Sequence, residues 1–250
     1  MSRRLLFTIA LALGLTTRLG AQESGDYVYR TVFLRAAPGL LLELIEAVKR
    51  TLPTLAAAGD PAPLLARHSQ GDHWDLLIVQ PVGTLAAWYG PDHAARWQAA
   101  EARTGFSSTA FRREVEPLVA WQQELFVAGP PLETFEARNQ DAGFYHIEVF
   151  LALAGQRDSL LRQRAMENVY LTGIGRPTNL IFRRVSGAEW DAYTIGYYRD
   201  LQHYAEPMTI TAEQEEQAAL AARFQSRNQI GSYLRRFLAG HHDTLLSRIR

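Results

Sequence analysis

The feature that most constrains this chain is an internal duplication. Arg67–Asp75 reads Arg-His-Ser-Gln-Gly-Asp-His-Trp-Asp, and Arg183–Asp191 reads Arg-Arg-Val-Ser-Gly-Ala-Glu-Trp-Asp. The copies lie 183 − 67 = 116 residues apart and keep Arg, Gly, Trp and Asp at equivalent positions. Each sits between two apolar runs with a glycine near its middle, which is the pattern of a β-hairpin. The same offset aligns Tyr29–Leu85 with Tyr145–Leu201 without a gap, matching Tyr29 with Tyr145, Gly39 with Gly155, Leu44 with Leu160, Pro61 with Pro177 and Leu64 with Leu180. A three-residue insertion then brings Ala120 onto Ala239 and Glu124 onto Asp243. Solenoid repeats run at roughly 20–50 residues, so this longer period means two copies of a whole folding unit.

Periodicity orders the elements inside each unit. Tyr29–Arg35 alternates and stops at Ala37-Pro38-Gly39, a strand and a turn. Leu41, Leu44, Ile45 and Val48 have helical spacing within Leu40–Leu55. Leu64–Ser69 and Trp74–Val82 form the hairpin strands. A helical stretch starts at Pro91, breaks at Gly105, restarts under Ser107/Ser108 and runs to Trp121, before a strand at Leu125–Val127. The second half repeats the order. Tyr145–Leu151 is a strand, Ser159–Tyr170 a helix, and Leu180–Val185 with Trp190–Tyr198 the hairpin. Thr211 and Gln214 open a helix as a capping box, a second helical piece ends near Ala239, and Thr244–Leu246 is the last strand. Both halves read β-α-β-β-α-β.

Composition narrows the setting. Arg3 and Arg4 precede an apolar stretch, Leu5–Leu15, and a small-residue site at Leu19-Gly20-Ala21, so residues 1–21 read as a signal peptide with a partial twin-arginine pattern. The stretch is too short to span a bilayer, which leaves an exported, periplasmic or secreted protein with no membrane span after cleavage. Cleavage leaves 26 − 3 = 23 basic against 26 acidic residues, which argues against nucleic acid as a partner. With no cysteine, stability rests on packing. Lys49 is the only lysine, so Schiff-base chemistry elsewhere is excluded. The chain divides into a first repeat at 22–131, a linker at 132–143 and a second repeat at 144–250.

Two such units resemble a tandem ferredoxin-like pair and, more specifically, the dimeric α+β barrel superfamily in its fused form, with antibiotic-biosynthesis-monooxygenase-like and NIPSNAP-like members. The resemblance implies an α+β fold: two four-stranded antiparallel sheets packed as a barrel, with helices outside. It implies a small-molecule-binding protein. Three readings stay open: a cofactor-independent monooxygenase-like enzyme acting on an apolar or aromatic ligand, a haem-binding or peroxidase-like protein, and a non-catalytic module with a filled barrel.

Strand alternation within this fold nominates the site. If the apolar set Tyr145, Ile147, Val149 and Leu151 meets the helices, His146, Glu148 and Phe150 point into the barrel, joined by Arg30 from the first half. His146 with Glu148 is then the candidate catalytic pair, and Arg30, Phe150, Tyr193 and Tyr197 the ligand-binding set. The competing reading is an internal ion pair such as Arg30 with Glu148. No cofactor is expected; haem is the alternative, with His203 or His146 as ligand and His93 a further candidate. No metal site is read from the histidine spacing, because His241 and His242 are neighbours on a strand and point apart. Asp75 and Asp191 are expected to hold the hairpins together.

Overall fold

The computed structural model describes residues 27–250 apart from Gly71 and Met208, with the backbone alone for Gln70. The signal-peptide reading of residues 1–21 lies outside the described residues. The strands are β1 (Tyr27–Ala36), β2 (Leu64–Gln70), β3 (Leu76–Gly83), β4 (Val119–Gly129), β5 (Phe144–Ala152), β6 (Leu180–Gly187), β7 (Ala192–Tyr198) and β8 (Leu238–Arg248). The helices of the first half are α1 (Leu41–Lys49), α2 (Leu52–Ala58), α3 (Leu85–Trp88), α4 (Pro91–Thr104) and α5 (Ser108–Val115). Then come α6 (Leu132–Gln140), α7 (Arg157–Gly173), α8 (Leu201–Ala205), α9 (Ala212–Ala221) and α10 (Ile230–Arg235).

The strands close one antiparallel barrel in the order β1-β3-β2-β8-β5-β7-β6-β4. Each half contributes a ferredoxin-like sheet of order 4-1-3-2, and β2–β8 and β4–β6 are the two seams. Closure pairs every described strand on both sides, leaving no sheet edge among the described residues. The α+β duplication expected from the sequence is therefore the observed architecture.

Two apolar layers hold it. The barrel interior gathers residues from both halves: Tyr29, Phe33, Val79 and Val127 meet Tyr145, Ile147, Val149, Phe182, Tyr193, Ile195 and Tyr197. Tyr29 and Phe182 meet edge to face across the halves at 5.3 Å, and the Thr31 and Tyr193 hydroxyls hydrogen-bond at 2.7 Å. The outer face of the first sheet packs Val32, Leu34, Leu65 and Leu76 against Leu44 and Val48 of α1. In the second half Phe150 and Ala192 pack against Leu160 of α7 and Leu234 of α10.

This reverses the expected faces. Tyr145, Ile147 and Val149 fill the barrel, while Arg30, His146, Glu148 and Phe150 lie on the helix side. The physical reason is that these strands are covered on both faces, so polarity does not mark which face is inward. The larger aromatic set went inside, where two of the hydroxyls find internal partners near the barrel end: Tyr29 donates to the Pro130 carbonyl and Tyr145 to Asn139 Oδ1, each at 2.7 Å.

Three further elements differ from expectation. Residues 132–143, read as a linker, are mostly the helix α6, which stoppers one end of the barrel. Phe135 is fully buried and lies 5.0 Å from the Tyr29 ring. The helix before β4 ends at Val115, not Trp121. Pro117 sits in a short 3-10 turn, and β4 starts at Val119 because it pairs with β1 along its length. Likewise β8 begins at Leu238 and pairs with nine residues of β5, far beyond Thr244–Leu246.

The duplicated hairpin proves to be architectural. Trp74 and Trp190 both enter the barrel core. Asp75 Oδ2 accepts from the Ala36 amide at 2.8 Å, and Asp191 Oδ2 accepts from the Ala152 amide at 2.9 Å. Ala36 and Ala152 are themselves 152 − 36 = 116 residues apart, so the duplication keeps the same contact twice. Gly187 has φ of +100°, and a Cβ there would lie 2.5 Å from the Glu124 carbonyl across the β4–β6 seam. Only glycine fits that approach.

Candidate ligand cavity and the polar cluster of the second half

The expected site residues fall into three separate places. Arg30 lines a cavity of about 980 Å³ between the first sheet and α2, α4 and α5. Tyr193 and Tyr197 are sealed in the barrel core, where burial drives their phenol pKa values far up. His146, Glu148 and Phe150 lie under α7 in the second half. Arg30 lines the cavity and His146 does not, so the two do not share that site.

The cavity floor is polar. Arg30 on β1 and Gln80 on β3 are paired across the ladder. Arg30 forms an ion pair with Glu124 of β4, which neutralises the floor. Gln80 is 5% exposed, and its Nε2 is buried without a hydrogen-bond partner among the described residues. A buried amide N–H left without an acceptor costs roughly 1–3 kcal/mol. An acceptor bound in the cavity would remove that cost.

The walls are aromatic, and helix punctuation places them. Thr84 caps α3, whose last residue is Trp88, and Pro91 opens α4. Gly105, at φ of +70°, ends α4 and turns the chain into α5, which Ser107 caps by accepting from the Ala110 amide. The two helices are held together where Trp97 Nε1 donates to Ser108 Oγ at 3.0 Å. Trp88, Trp97, Phe106 and Phe111 thereby ring the space over Arg30 and Gln80. His93 joins them, its ring 4.3 Å from that of Trp88 and its Nε2 3.1 Å from Asp60 Oδ2. A carboxylate in that position sets the imidazole tautomer.

In the second half α7 closes directly onto the sheet. Arg164 projects from it and donates to Glu148 Oε2 at 2.8 Å, while Thr194 Oγ1 donates to the same oxygen at 3.1 Å. The Arg164 guanidinium lies over the Phe150 ring. Asp243 hydrogen-bonds His146 Nε2, and His241 stacks on Phe150 with ring centres 5.0 Å apart. Burial works to raise the Glu148 carboxyl, but the nearby His241 imidazole and the charge of Arg164 outweigh it and hold the group at about 2. Burial works to lower the His146 imidazole, and the hydrogen bond and charge of Asp243 overturn it, raising the pKa. The expected Arg30–Glu148 pair is thus replaced by two local ones, Arg30–Glu124 and Arg164–Glu148.

Gln80, Trp88 and Trp97 were missed as site residues, and His93 was read from the sequence only as a further candidate haem ligand. The signal for the two tryptophans was the aromatic content of α3 and α4, which contain Trp88 and Trp97, whereas α9 is built of alanine, glutamate and glutamine with one leucine.

No protein-family model and no curated relative matches the chain. Solved structures do match. An anthrone oxidase-like protein is similar at a TM-score of 0.54 and 12% identity, over 90% of this chain and 91% of that one. A protein assigned as a monooxygenase, from Fusobacterium nucleatum subsp. nucleatum, is similar at a TM-score of 0.51 and 10% identity, over 90% of this chain and 93% of that one. This is the dimeric α+β barrel fold in fused form. A haem-binding protein from Thermus thermophilus is also found, at a TM-score of 0.41 and 14% identity, over 90% of this chain and 91% of that one. At these identities the likeness is one of fold.

The residues do not fit a histidine-ligated haem in the large cavity. His93 is the histidine that lines it, and its Nε2 is committed to Asp60. His146 gives its Nε2 to Asp243, and His203, whose Nδ1 accepts from the Arg199 amide at 3.2 Å, does not line the cavity. None of the three turns an unoccupied Nε2 toward that space.

Proposed function

We propose that this protein binds a flat aromatic small molecule in the first-half cavity and acts on it as a cofactor-independent monooxygenase-like enzyme. The observation that carries the reading is the unsatisfied Gln80 amide beside Arg30, on the floor of a cavity walled by Trp88, Trp97, Phe106 and Phe111. Such walls stack a planar ring system, and the floor asks for one oxygen acceptor on it. Because Arg30 is already paired with Glu124, a carbonyl or phenol suits the floor better than a strong anion. The anthrone oxidase-like neighbour supports a fused-ring ketone as the first substrate class to try.

His93, oriented by Asp60, is the proton acceptor in this reading. Removing a proton from an activated CH2 beside the ring leaves an electron-rich anion. Dioxygen accepts its electrons; one oxygen atom stays on carbon as a carbonyl and the other leaves as water, carrying the two hydrogens. His146, the proton acceptor expected from the sequence, has no part in this reaction.

The cavity carries its own reporters, since three of the five tryptophans line it. Titration with anthrone is expected to quench the intrinsic fluorescence. Gln80→Leu and Arg30→Met are expected to weaken binding about tenfold or more, as loss of one or two hydrogen bonds predicts. His93→Ala is expected to keep binding and lose oxygen uptake. Unchanged fluorescence across a panel of fused-ring ketones and phenols would overturn the reading, and a Soret band on adding hemin would redirect it to haem.

A further inference from the structure

The second-half cluster has a composition that the first half lacks. At the positions where the first repeat carries Arg30, Val32, Gln122 and Glu124, the second carries His146, Glu148, His241 and Asp243. All four of the later set are metal-ligand types. They sit as two i, i+2 pairs, His146/Glu148 on β5 and His241/Asp243 on β8, and the ladder pairs Glu148 with Asp243. Residues two apart on a strand share a face, so all four face the helix side. His241 and His242 do point apart, as the sequence implied, which frees His241 to join Glu148.

We propose that Glu148, His241 and Asp243 bind one divalent first-row metal ion, independently of the ligand cavity in the first half. Ligand atoms of the three lie within 4.8 Å of one another. Glu148 Oε1 and His241 Nε2 are 3.6 Å apart, too far for a hydrogen bond. It is close to the roughly 3.4 Å that separates two ligands on a tetrahedral ion with bonds of about 2.1 Å.

Each ligand is also held from behind. Arg164 and Thr194 occupy Glu148 Oε2 and leave Oε1 toward the gap. His146 occupies Asp243 Oδ1 and leaves Oδ2. Phe150 fixes the His241 ring in plane. Outer partners of this kind orient metal ligands. Glu148 and Asp243 bring two carboxylates to the gap, with Arg164 paired to the first and His146 to the second. Asp243, with its side chain 54% exposed, gives the ion a way in from solvent. One nitrogen and two carboxylate ligands suit zinc, iron(II) or manganese(II), with positions left for water.

A second group, Asp72, His73 and His242, also lies close together. Its contacts of 2.7 and 3.0 Å are ordinary hydrogen bonds and leave no gap of ion size. It therefore serves as the control.

The test is calorimetric titration of Zn(II) into the chelator-stripped full chain. One equivalent is expected to bind. His241→Ala and Asp243→Asn are expected to weaken binding at least a hundredfold, His146→Ala about tenfold to a hundredfold through loss of the outer partner, and His242→Ala not at all. Both main variants alter residues at the sheet surface, and circular dichroism checks that they fold. No binding up to millimolar Zn(II), binding kept in both main variants, or loss only in His242→Ala would each overturn the proposal.

Discussion

Asp191 shows how one side chain can look functional in sequence and be structural in space. Its Oδ1 accepts from Arg184 at 2.7 Å, and its Oδ2 holds the Ala152 amide at the end of β5. Asp75 does the second job in the other half. Replacing Asp191 with Ala strands a backbone amide and a guanidinium, so a loss of about 1–3 kcal/mol is expected. Asp191→Asn, which keeps an acceptor, should lose less. Urea unfolding of the two variants checks this; equal losses would deny the amide contact its importance. At the same scale, the residues expected to meet in one pocket did not. Arg30 reached a cavity, His146 and Glu148 joined a polar cluster, and Tyr193 and Tyr197 went into the core. Residue identity was legible, but residue company was not, because which strand face turns inward depends on what covers the other.

At the level of elements, α6 carries the clearest lesson. Its sequence, Leu-Glu-Thr-Phe-Glu-Ala-Arg-Asn-Gln, has little apolar content and reads as a connection. Its worth lies in Phe135, which closes the barrel against Tyr29 and Phe182, and in Asn139, which satisfies Tyr145. Phe135→Ala is expected to cost about 3–5 kcal/mol, the range for deleting a buried aromatic ring. A thermal melt would show it, and a loss below 1 kcal/mol would mean that the helix is not a stopper. The strands β4 and β8 ran longer than their apolar cores suggested. Their outer residues alternate between the barrel mouth and solvent, and the partner strand supplies the hydrogen bonds that hold them extended.

Taken as a whole, the molecule has a barrel filled by its own aromatic residues, with its open space outside. Four tyrosines, Tyr29, Tyr145, Tyr193 and Tyr197, are buried in that core. Burial raises each phenol pKa, Tyr145 to about 12. A phenol raised on folding stabilises the native state fully below its unfolded pKa of about 10, and that contribution is lost as pH rises toward the folded value. Stability is therefore expected to hold up to about pH 10 and to fall steeply above it, with the share of the 295 nm ionisation signal that belongs to these four tyrosines appearing only as the protein unfolds. Ionisation of all ten tyrosines ahead of unfolding would contradict a sealed barrel.

By itself the sequence determined the duplication, the β-α-β-β-α-β order and the hairpin aspartates. Those rest on local periodicity, turn chemistry and identities repeated 116 residues apart. Tertiary structure alone decided which strand face became the interior, which helix pair left a cavity over Arg30 and Gln80, and that Glu148, His241 and Asp243 meet. The reason is that closing the barrel buries both faces of its strands. Alternation says which residues share a face, and only packing between distant elements says what that face looks at.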